Sequence, residues 1–202
     1  MGNTIITISR EFASGGRELG GRLAALLGYA YFDSEIVAEI AKKTELSEAY
    51  VKQLTDQGAP RGRFPLHFGQ SFLGYPGMDM ALEVFEAQCQ TLREFASNSD
   101  CVIIGRGADY ILRDLNPIRI FVYSDMETKL SRCSLRNQEN LPEKEILRQI
   151  KEIEKKRARH YENVTGLSWG DRRNFDFLIN TSGKDIKLLA SILASYFSQK
   201  GN

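Results

Sequence analysis

Five short segments rich in β-branched and aromatic residues recur along the chain, with mostly helical sequence between them. The segments cover residues 4–9, 29–32, 101–104, 118–123 and 175–180. Strands that alternate with helices in this way are typical of a parallel sheet with helical crossover connections. We therefore expect one α/β domain, because 202 residues with 42% hydrophobic content suffice for a single sizeable core.

Two apolar stripes predict helices that pack on this sheet. The first predicts a helix over residues 17–27 with one leucine-rich face, and Gly28 is placed to end it in a left-handed cap. Its leucines are Leu19, Leu23, Leu26 and Leu27. The second stripe, over residues 80–95, indicates a buried helix face rather than a cofactor site. Its members are Leu82, Phe85, Cys89, Leu92 and Phe95.

Charge and irregular composition are both concentrated locally. The net charge of +1 gives no overall attraction to nucleic acid or membranes, but residues 129–160 carry ten Lys or Arg against five Asp or Glu. That stretch therefore carries +5 and the remainder of the chain −4. Residues 57–77 contain five of the 17 glycines and three of the five prolines, and the aromatic residues among them favour a functional lid over a disordered segment.

The cysteines and the N-terminus bear on metal sites and location. Cys89, Cys101 and Cys133 are odd in number and lack CxxC spacing, so with only two histidines they do not predict a zinc site and are interpreted as buried free thiols. The N-terminus has no charged region followed by a long apolar run, and no stretch approaches the ~18 apolar residues of a membrane span. We therefore expect a cytoplasmic protein.

A small-residue turn joins the first strand to the first helix, where α/β folds bind phosphate. Backbone N–H groups of Ser14, Gly15 and Gly16 would surround an anion, and the first amides of the helix would add the positive end of its dipole. Alternatively, the two glycines only make a tight turn.

The usual phosphate-loop signature, Gly-x-x-x-x-Gly-Lys followed by Ser or Thr, is absent from this turn. Arg17 is the nearby cation that would replace the lysine, and it would clasp two phosphate oxygens. Glu18 stands in the region where the signature would place a magnesium-binding Ser or Thr. We expect Glu18 either to reach a metal ion through water or to turn away and hold an arginine such as Arg22.

Two further positions follow predicted strands. Asp33 and Ser34 follow the second strand, where N-capping of a helix with Glu35 in its first turn would account for them. Arg106, flanked by glycines, follows the third strand beside the phosphate turn, where arginine can grip a phosphate bidentately. The alternative for Arg106 is a surface ion pair with Asp109.

The chain as a whole resembles the cytidylate-kinase-like group of P-loop nucleoside-monophosphate kinases. The segments that carry the resemblance are ISREFASGGRELGGRLAALLGYAYFDSEIV, VFEAQ, CVIIGRGADYIL, EIEKKRARHYE and FDFLINTS, in that order. The resemblance implies a three-layer P-loop kinase fold with a five-stranded parallel sheet. It also implies one domain, with a core over about 1–45 and 95–202, an acceptor-binding insert over about 46–94 and an arginine-bearing lid within about 132–161.

The same resemblance implies site residues and cofactors. The donor would be ATP with Mg²⁺, its phosphates bound by Ser14, Gly15, Gly16, Arg17 and Glu18, with Glu18 as the metal-side residue. The acceptor would be held by Asp33, Arg106 and Asp109. The catalytic cations would be Arg17, Arg132, Arg136, Arg157 and Arg159. The alternative for the four arginines of the basic stretch is a solvated helix with pairs such as Glu152–Lys156. Two departures from the family pattern are the missing Gly-Lys and the Gly-Arg-Gly that stands where cytidylate kinases have Gly-Arg-Asp.

Three classes of function fit these observations. The leading hypothesis is ATP-dependent phosphoryl transfer to a nucleoside monophosphate or another small acceptor, with small nucleotides, not nucleic acid or membranes, as partners. The second is a nucleotide-binding regulator that has lost turnover, which the missing lysine and hydroxyl would explain. The third is a nucleic-acid-binding module that uses the basic stretch.

Overall fold

A computed structural model describes residues 2–57, 78–137 and 140–198. Within these residues five strands form one parallel sheet in the order β2-β3-β1-β4-β5. The strands are β1 (Ile5–Arg10), β2 (Ala30–Phe32), β3 (Cys101–Ile104), β4 (Ile118–Tyr123) and β5 (Phe177–Asn180). All five strand predictions are confirmed, with ends that differ by at most two residues.

Helices follow the strands and cover both faces of the sheet. Their bounds are α1 (Gly16–Leu27), α2 (Glu35–Thr44), α3 (Glu48–Gln57), α4 (Met78–Asn98), α5 (Ala108–Ile111), α6 (Met126–Ser134), α7 (Glu143–Thr165) and α8 (Ile186–Ser198), with short 3-10 turns at Arg113–Leu115 and Arg172–Asn174. One buried cluster packs α1 and α8 against one face of the sheet, and a second packs α2 and α4 against the other. The predicted three-layer fold is therefore confirmed.

The centre of the sheet explains why the site forms where it does. Strands β1 and β3 are buried along almost their whole length, as the near-continuous apolar sequence of central parallel strands requires. They pair in register from Ile5 with Cys101 to Ile8 with Ile104. Their carboxyl ends therefore lie side by side, and the loops that follow them meet at one edge of the sheet.

Helix α1 ends at the left-handed Gly28, at φ 71°, as the sequence predicts, and it begins after a second left-handed glycine, Gly15, at φ 80°. Gly20 lies on the buried face of this helix, and a Cβ there would come within 2.6 Å of the Ile104 side chain. The helix thus packs closely on the sheet through its small residues. Leu26 falls at the edge of this face and is 55% exposed, so its predicted burial is wrong.

Helix α4 carries the second predicted stripe in modified form. Leu92 is fully buried, and Phe95 stacks on Phe32 with ring centroids 3.9 Å apart. Leu82 is 42% exposed, contrary to the prediction, because the buried line of the helix also runs through polar residues such as Gln88 and Thr91. The segment 57–77, which is rich in glycine and proline and was predicted to be a functional lid, lies outside the described residues from residue 58 onward.

The three cysteines are free thiols, as predicted, although only Cys101 is fully buried. Burial raises the pKa of the Cys89 and Cys101 thiols to about 11, which keeps them protonated and unreactive at neutral pH. Across the described ranges no helix is both long and apolar enough to cross a membrane.

Candidate active site

The turn between β1 and α1 has the geometry of an anion cradle. Ala13 and Gly15 both have positive φ, 54° and 80°, which curls the backbone before the helix starts. No side chain caps α1 at Gly15, so the first amides of the helix face the cradle. Ser14 is fully buried and donates both its hydroxyl, at 2.9 Å, and its backbone N–H, at 3.5 Å, to the Glu11 carbonyl, so its contact with a phosphate stays a prediction.

The cradle is held from behind by Arg132 and Thr181. Arg132 Nη1 donates to the Ala13 carbonyl at 3.3 Å and to Thr181 Oγ1 at 3.1 Å. Thr181 Oγ1 in turn donates to the Ser14 carbonyl at 2.6 Å. Arg132 therefore fixes the shape of the cradle, directly through the Ala13 carbonyl and indirectly through Thr181. The role of Arg132 as a direct phosphate ligand stays a prediction.

A cleft of about 1050 Å³ opens in front of the cradle. Among the described residues that line it, eight are Lys or Arg and four are Asp or Glu. The cations are Arg10, Arg17, Arg22, Lys52, Arg106, Arg136, Lys156 and Arg157, and the acids are Glu11, Glu18, Asp33 and Glu48. The lining therefore carries +4 in a chain whose net charge is +1, which suits a multiply charged anion.

Asp33 organises two of these arginines. Its carboxylate lies 2.5 Å from Arg17 Nε and 3.9 Å from Arg10 Nη2. Ser34, not Asp33, is the N-cap residue of α2, and the backbone N–H of Asp33 donates to Glu35 Oε2 at 3.1 Å. The carboxylate of Asp33 is thus directed to the arginines rather than to helix capping.

Arg10 is the central residue of the cleft that sequence reasoning missed. Burial, and then the neighbouring charge of Arg157, lower the pKa of Arg10 to about 9, while Asp33 opposes this shift. The sequence does contain a signal for Arg10, because it is a charged residue at the end of an otherwise buried strand, directly before the cradle.

Arg106 sits in an unusual backbone conformation. Gly105, Arg106 and Gly107 have φ values of 73°, 59° and 64°, so three consecutive residues are left-handed. The Arg106 carbonyl accepts from Gln88 Nε2 at 3.0 Å, which ties this loop to helix α4. The flanking glycines thus aim Arg106 at the cleft, which it lines together with the cradle.

Asp109, predicted to bind the acceptor, is buried behind the cleft. Its carboxylate accepts from the Tyr161 hydroxyl at 2.7 Å and from Ser9 Oγ at 3.5 Å. Burial raises the pKa of Asp109, although these hydrogen bonds oppose the shift. Tyr161 does line the cleft, so Asp109 positions a lining residue, and its direct contact with an acceptor stays a prediction.

Helix α7 supplies the opposite wall. Arg157 Nη1 donates to the Arg10 carbonyl at 3.1 Å, and its guanidinium lies 5.6 Å from the Phe12 ring centroid. Arg136 also lines the cleft. Arg159 is exposed and falls outside the lining, because two residues along a helix rotate its side chain by about 200° from that of Arg157.

Two acidic residues are engaged by neighbouring cations. Glu18 lies 2.9 Å from Arg22 Nε, which is one of the two arrangements expected from the sequence. On helix α7, Glu152 pairs with Arg148 at 2.9 Å, whereas the sequence suggested Lys156 as its partner. In the described part of the chain, no group of three or more His, Cys, Asp or Glu side chains is arranged to hold a metal ion.

A buried lysine couples the cradle to helices α6 and α7. Lys129 is 4% exposed, and its Nζ lies 2.7 Å from both Glu11 Oε2 and Glu154 Oε1. Glu11 follows β1, Lys129 belongs to α6 and Glu154 belongs to α7. Part of the positive charge predicted for the basic stretch is therefore structural, because it joins these three elements.

Solved structures share this fold. An uncharacterized protein from Eubacterium ventriosum is 25% identical, with a TM-score of 0.70 over 97% of this chain and 99% of that one. Shikimate kinase from Acinetobacter baumannii, solved with shikimate, is 18% identical with a TM-score of 0.54 over 98% and 95% of the two chains. Shikimate kinase from Bacteroides thetaiotaomicron is 16% identical with a TM-score of 0.56 over 96% and 98%. At these identities the two kinases support the fold alone.

Sequence comparison gives the family. Cytidylate kinase from Pyrobaculum aerophilum is 27% identical over 103 residues, which are 51% of this chain and 55% of that protein. The chain thus spans about half the length of this curated relative. The sequence model described as the Cytidylate kinase-like family matches residues 5–183. Because that match covers nearly the whole chain and includes every strand and the arginine-lined cleft, the protein belongs to the cytidylate kinase-like family.

Proposed function

We propose that the protein transfers a phosphoryl group from ATP to a nucleoside monophosphate, cytidylate-like, or to a related small acceptor. The observation that carries this proposal is the convergence of a helix-terminal anion cradle and cations from separate elements on one cleft of +4 charge. Family membership supports a nucleotide-kinase-type reaction. Phosphoryl transfer needs positioning and electrostatic stabilisation rather than a nucleophilic side chain, which matches this set of residues.

The donor end of the cleft is the cradle. Backbone amides of Gly15 and Gly16, which line the cleft, would bind the terminal phosphates of ATP, because no side chain competes for the helix N-terminus. The amide of Ser14 would join them once it leaves the Glu11 carbonyl. Arg17, whose side chain is 69% exposed, would add a forked charge once it exchanges Asp33 for phosphate.

A magnesium ion at such a site takes most of its ligands from water and phosphate, so one carboxylate at the cradle, that of Glu18, would suffice. Glu18 lines the cleft but is paired with Arg22, so it would have to leave Arg22 to contact such an ion through water. When bound, Mg²⁺ would neutralise charge that develops on the transferred phosphoryl group. The residues of this chain would meanwhile orient the phosphates and exclude water.

The acceptor end lies toward β2 and β3. Asp33 and Arg106 line this end, and Arg106 is the proposed phosphate contact. Asp109 supports this wall through Tyr161. On the opposite wall Arg136 and Arg157 would stabilise the equatorial oxygens during transfer.

The second candidate, a nucleotide-binding regulator without turnover, is favoured by one specific arrangement. Arg17 and Glu18 replace the expected lysine and hydroxyl, and each is engaged by a neighbour of opposite charge. Such a site would bind phosphates without the usual metal ligand. The experiment must therefore separate binding from catalysis.

The test is steady-state release of ADP with ATP, magnesium and a panel of acceptors that contains the nucleoside monophosphates and shikimate. We expect turnover that depends on a nucleoside monophosphate, is lost in Arg157→Ala and is kept in Arg148→Ala, an exposed lid arginine paired with Glu145 and Glu152. ATP binding without turnover for any acceptor would favour the regulator instead.

A further inference from the structure

Arg10 spans the carboxyl edge of the sheet between the two ends of the cleft. A Cβ at Gly16 would lie 2.6 Å from Arg10 Cβ, so the stem of the side chain packs against the start of α1. A Cβ at Gly105 would overlap Arg10 Nη1, so the guanidinium lies directly on the loop after β3. The side chain thus starts beside the donor cradle and ends at the acceptor side.

The charge around this guanidinium is unbalanced. Arg157, Arg106 and Arg17 act on Arg10 as like charges, and Asp33 acts on it as an opposite charge; these five residues are called the arginine cluster. Asp33 lies 3.9 Å from Arg10 but 2.5 Å from Arg17, so Arg10 has the weaker share of the one carboxylate. Because only 18% of the Arg10 side chain is exposed, water screens this repulsion poorly.

We propose that Arg10 binds the phosphate group of the acceptor and holds it against the donor cradle, a role that rests on the proposed kinase function. A phosphate monoester dianion beside Asp33 and Gly105 would offset the like-charge repulsion that Arg10 experiences from the other arginines of the cluster. The guanidinium fork, fixed by Gly16 and Gly105, would offer two parallel donors to its oxygens.

This role makes Arg10 a determinant of acceptor class. A neutral nucleoside brings no negative charge to Arg10, whereas a phosphate monoester brings two and matches the guanidinium fork. Discrimination should therefore depend on the phosphate more than on the base. Sites built to bond a charged group reject analogues that lack it, because the buried polar groups are then left unpaired.

The experiment compares Arg10→Gln, Arg10→Lys and the control Arg148→Gln by isothermal titration calorimetry with cytidine monophosphate, cytidine and ATP. We expect Arg10→Gln to weaken the monophosphate at least tenfold, to change ATP less than threefold and to leave cytidine unchanged. Arg10→Lys, which keeps the charge but loses the fork, should show an intermediate loss, and it carries the test if Arg10→Gln does not fold. Arg148→Gln should resemble the wild type.

Three results would overturn the role of Arg10. These are equal losses for the monophosphate and ATP, unchanged monophosphate affinity, and a wild-type protein that binds monophosphate no better than cytidine. Failure of the kinase function is distinguishable. Selective loss of monophosphate binding in a protein without turnover keeps the role of Arg10, whereas full turnover with unchanged KM in Arg10→Gln refutes that role and keeps the kinase.

Discussion

The carboxylate of Asp33 lies 2.5 Å from Nε of Arg17, which joins the end of β2 to the first turn of α1. Arg17, which we propose as the replacement for the phosphate-loop lysine, is therefore directed across the cleft, toward the proposed acceptor side. The proposed donor and acceptor sites share this ion pair, so a substitution on one side of the cleft should change binding on the other.

Asp33→Asn should strengthen ATP binding by up to about fivefold. The substitution removes the competitor of phosphate for Arg17, and ion pairs of exposed side chains contribute about 0.2–1 kcal/mol. Calorimetry at fixed magnesium and ionic strength measures this change. Weaker ATP binding would show instead that Asp33 holds Arg17 in its productive position.

Arg17→Ala should weaken ATP by roughly tenfold or more, because a charge-assisted bond to phosphate contributes ~1.5–3 kcal/mol. Arg17→Lys should restore only part of this loss, since lysine offers a point charge instead of a fork. The measurement is ATP affinity with magnesium. Unchanged affinity would mean that the cradle is not the donor phosphate site.

Arg106→Ala should weaken acceptor binding far more than ATP binding and leave the fold intact. The reason is the position of Arg106 after β3, at the acceptor end of the cleft. Titrations of the two ligands, with circular dichroism as the folding control, measure the difference. Equal losses would reassign Arg106 to the donor side or to structure.

Arg132→Ala should lower the free energy of unfolding by about 2–4 kcal/mol, because hydrogen bonds from a charged donor are among the stronger ones. The variant loses the contacts to Ala13 and Thr181 and should also bind ATP more weakly as the cradle loosens. Thr181→Val, which removes only the hydroxyl, should cost less in urea unfolding. A fully stable Arg132→Ala with normal ATP affinity would contradict this holding role.

The stability difference between the wild type and Asp109→Asn should depend on pH. Burial raises the pKa of Asp109 above the unfolded value of about 3.9, so the folded state keeps its proton longer. The contribution of Asp109 is therefore fully present in acid and is lost as pH rises through the folded pKa. Between pH 4 and pH 8, the melting temperature of the wild type should fall relative to that of Asp109→Asn. A constant difference would mean that Asp109 does not titrate in this range.

The sheet and α1 were predictable because local signals agree there: buried strands have continuous apolar sequence, and glycines mark both ends of the helix. The turn that forms the cradle was predictable as well, because small residues stand between the first strand and the first helix. The contacts of Arg132 were not predictable, since its partner Thr181 arrives after β5, 49 residues further along the chain. Arg10 was missed because its importance comes from Gly105 and Asp33, which only the folding of three separate strands brings to it.

The left-handed conformation from Gly105 to Gly107 lowers the stability of the fold but places Arg106 at the cleft. An arginine at φ 59° costs about 1 kcal/mol or more in backbone strain that glycine would not suffer. The rest of the fold bears this strain at all times, and an acceptor benefits from it only while bound. A laboratory screen for heat resistance alone would therefore favour glycine at position 106, and the more robust protein that it selects should be the poorer catalyst.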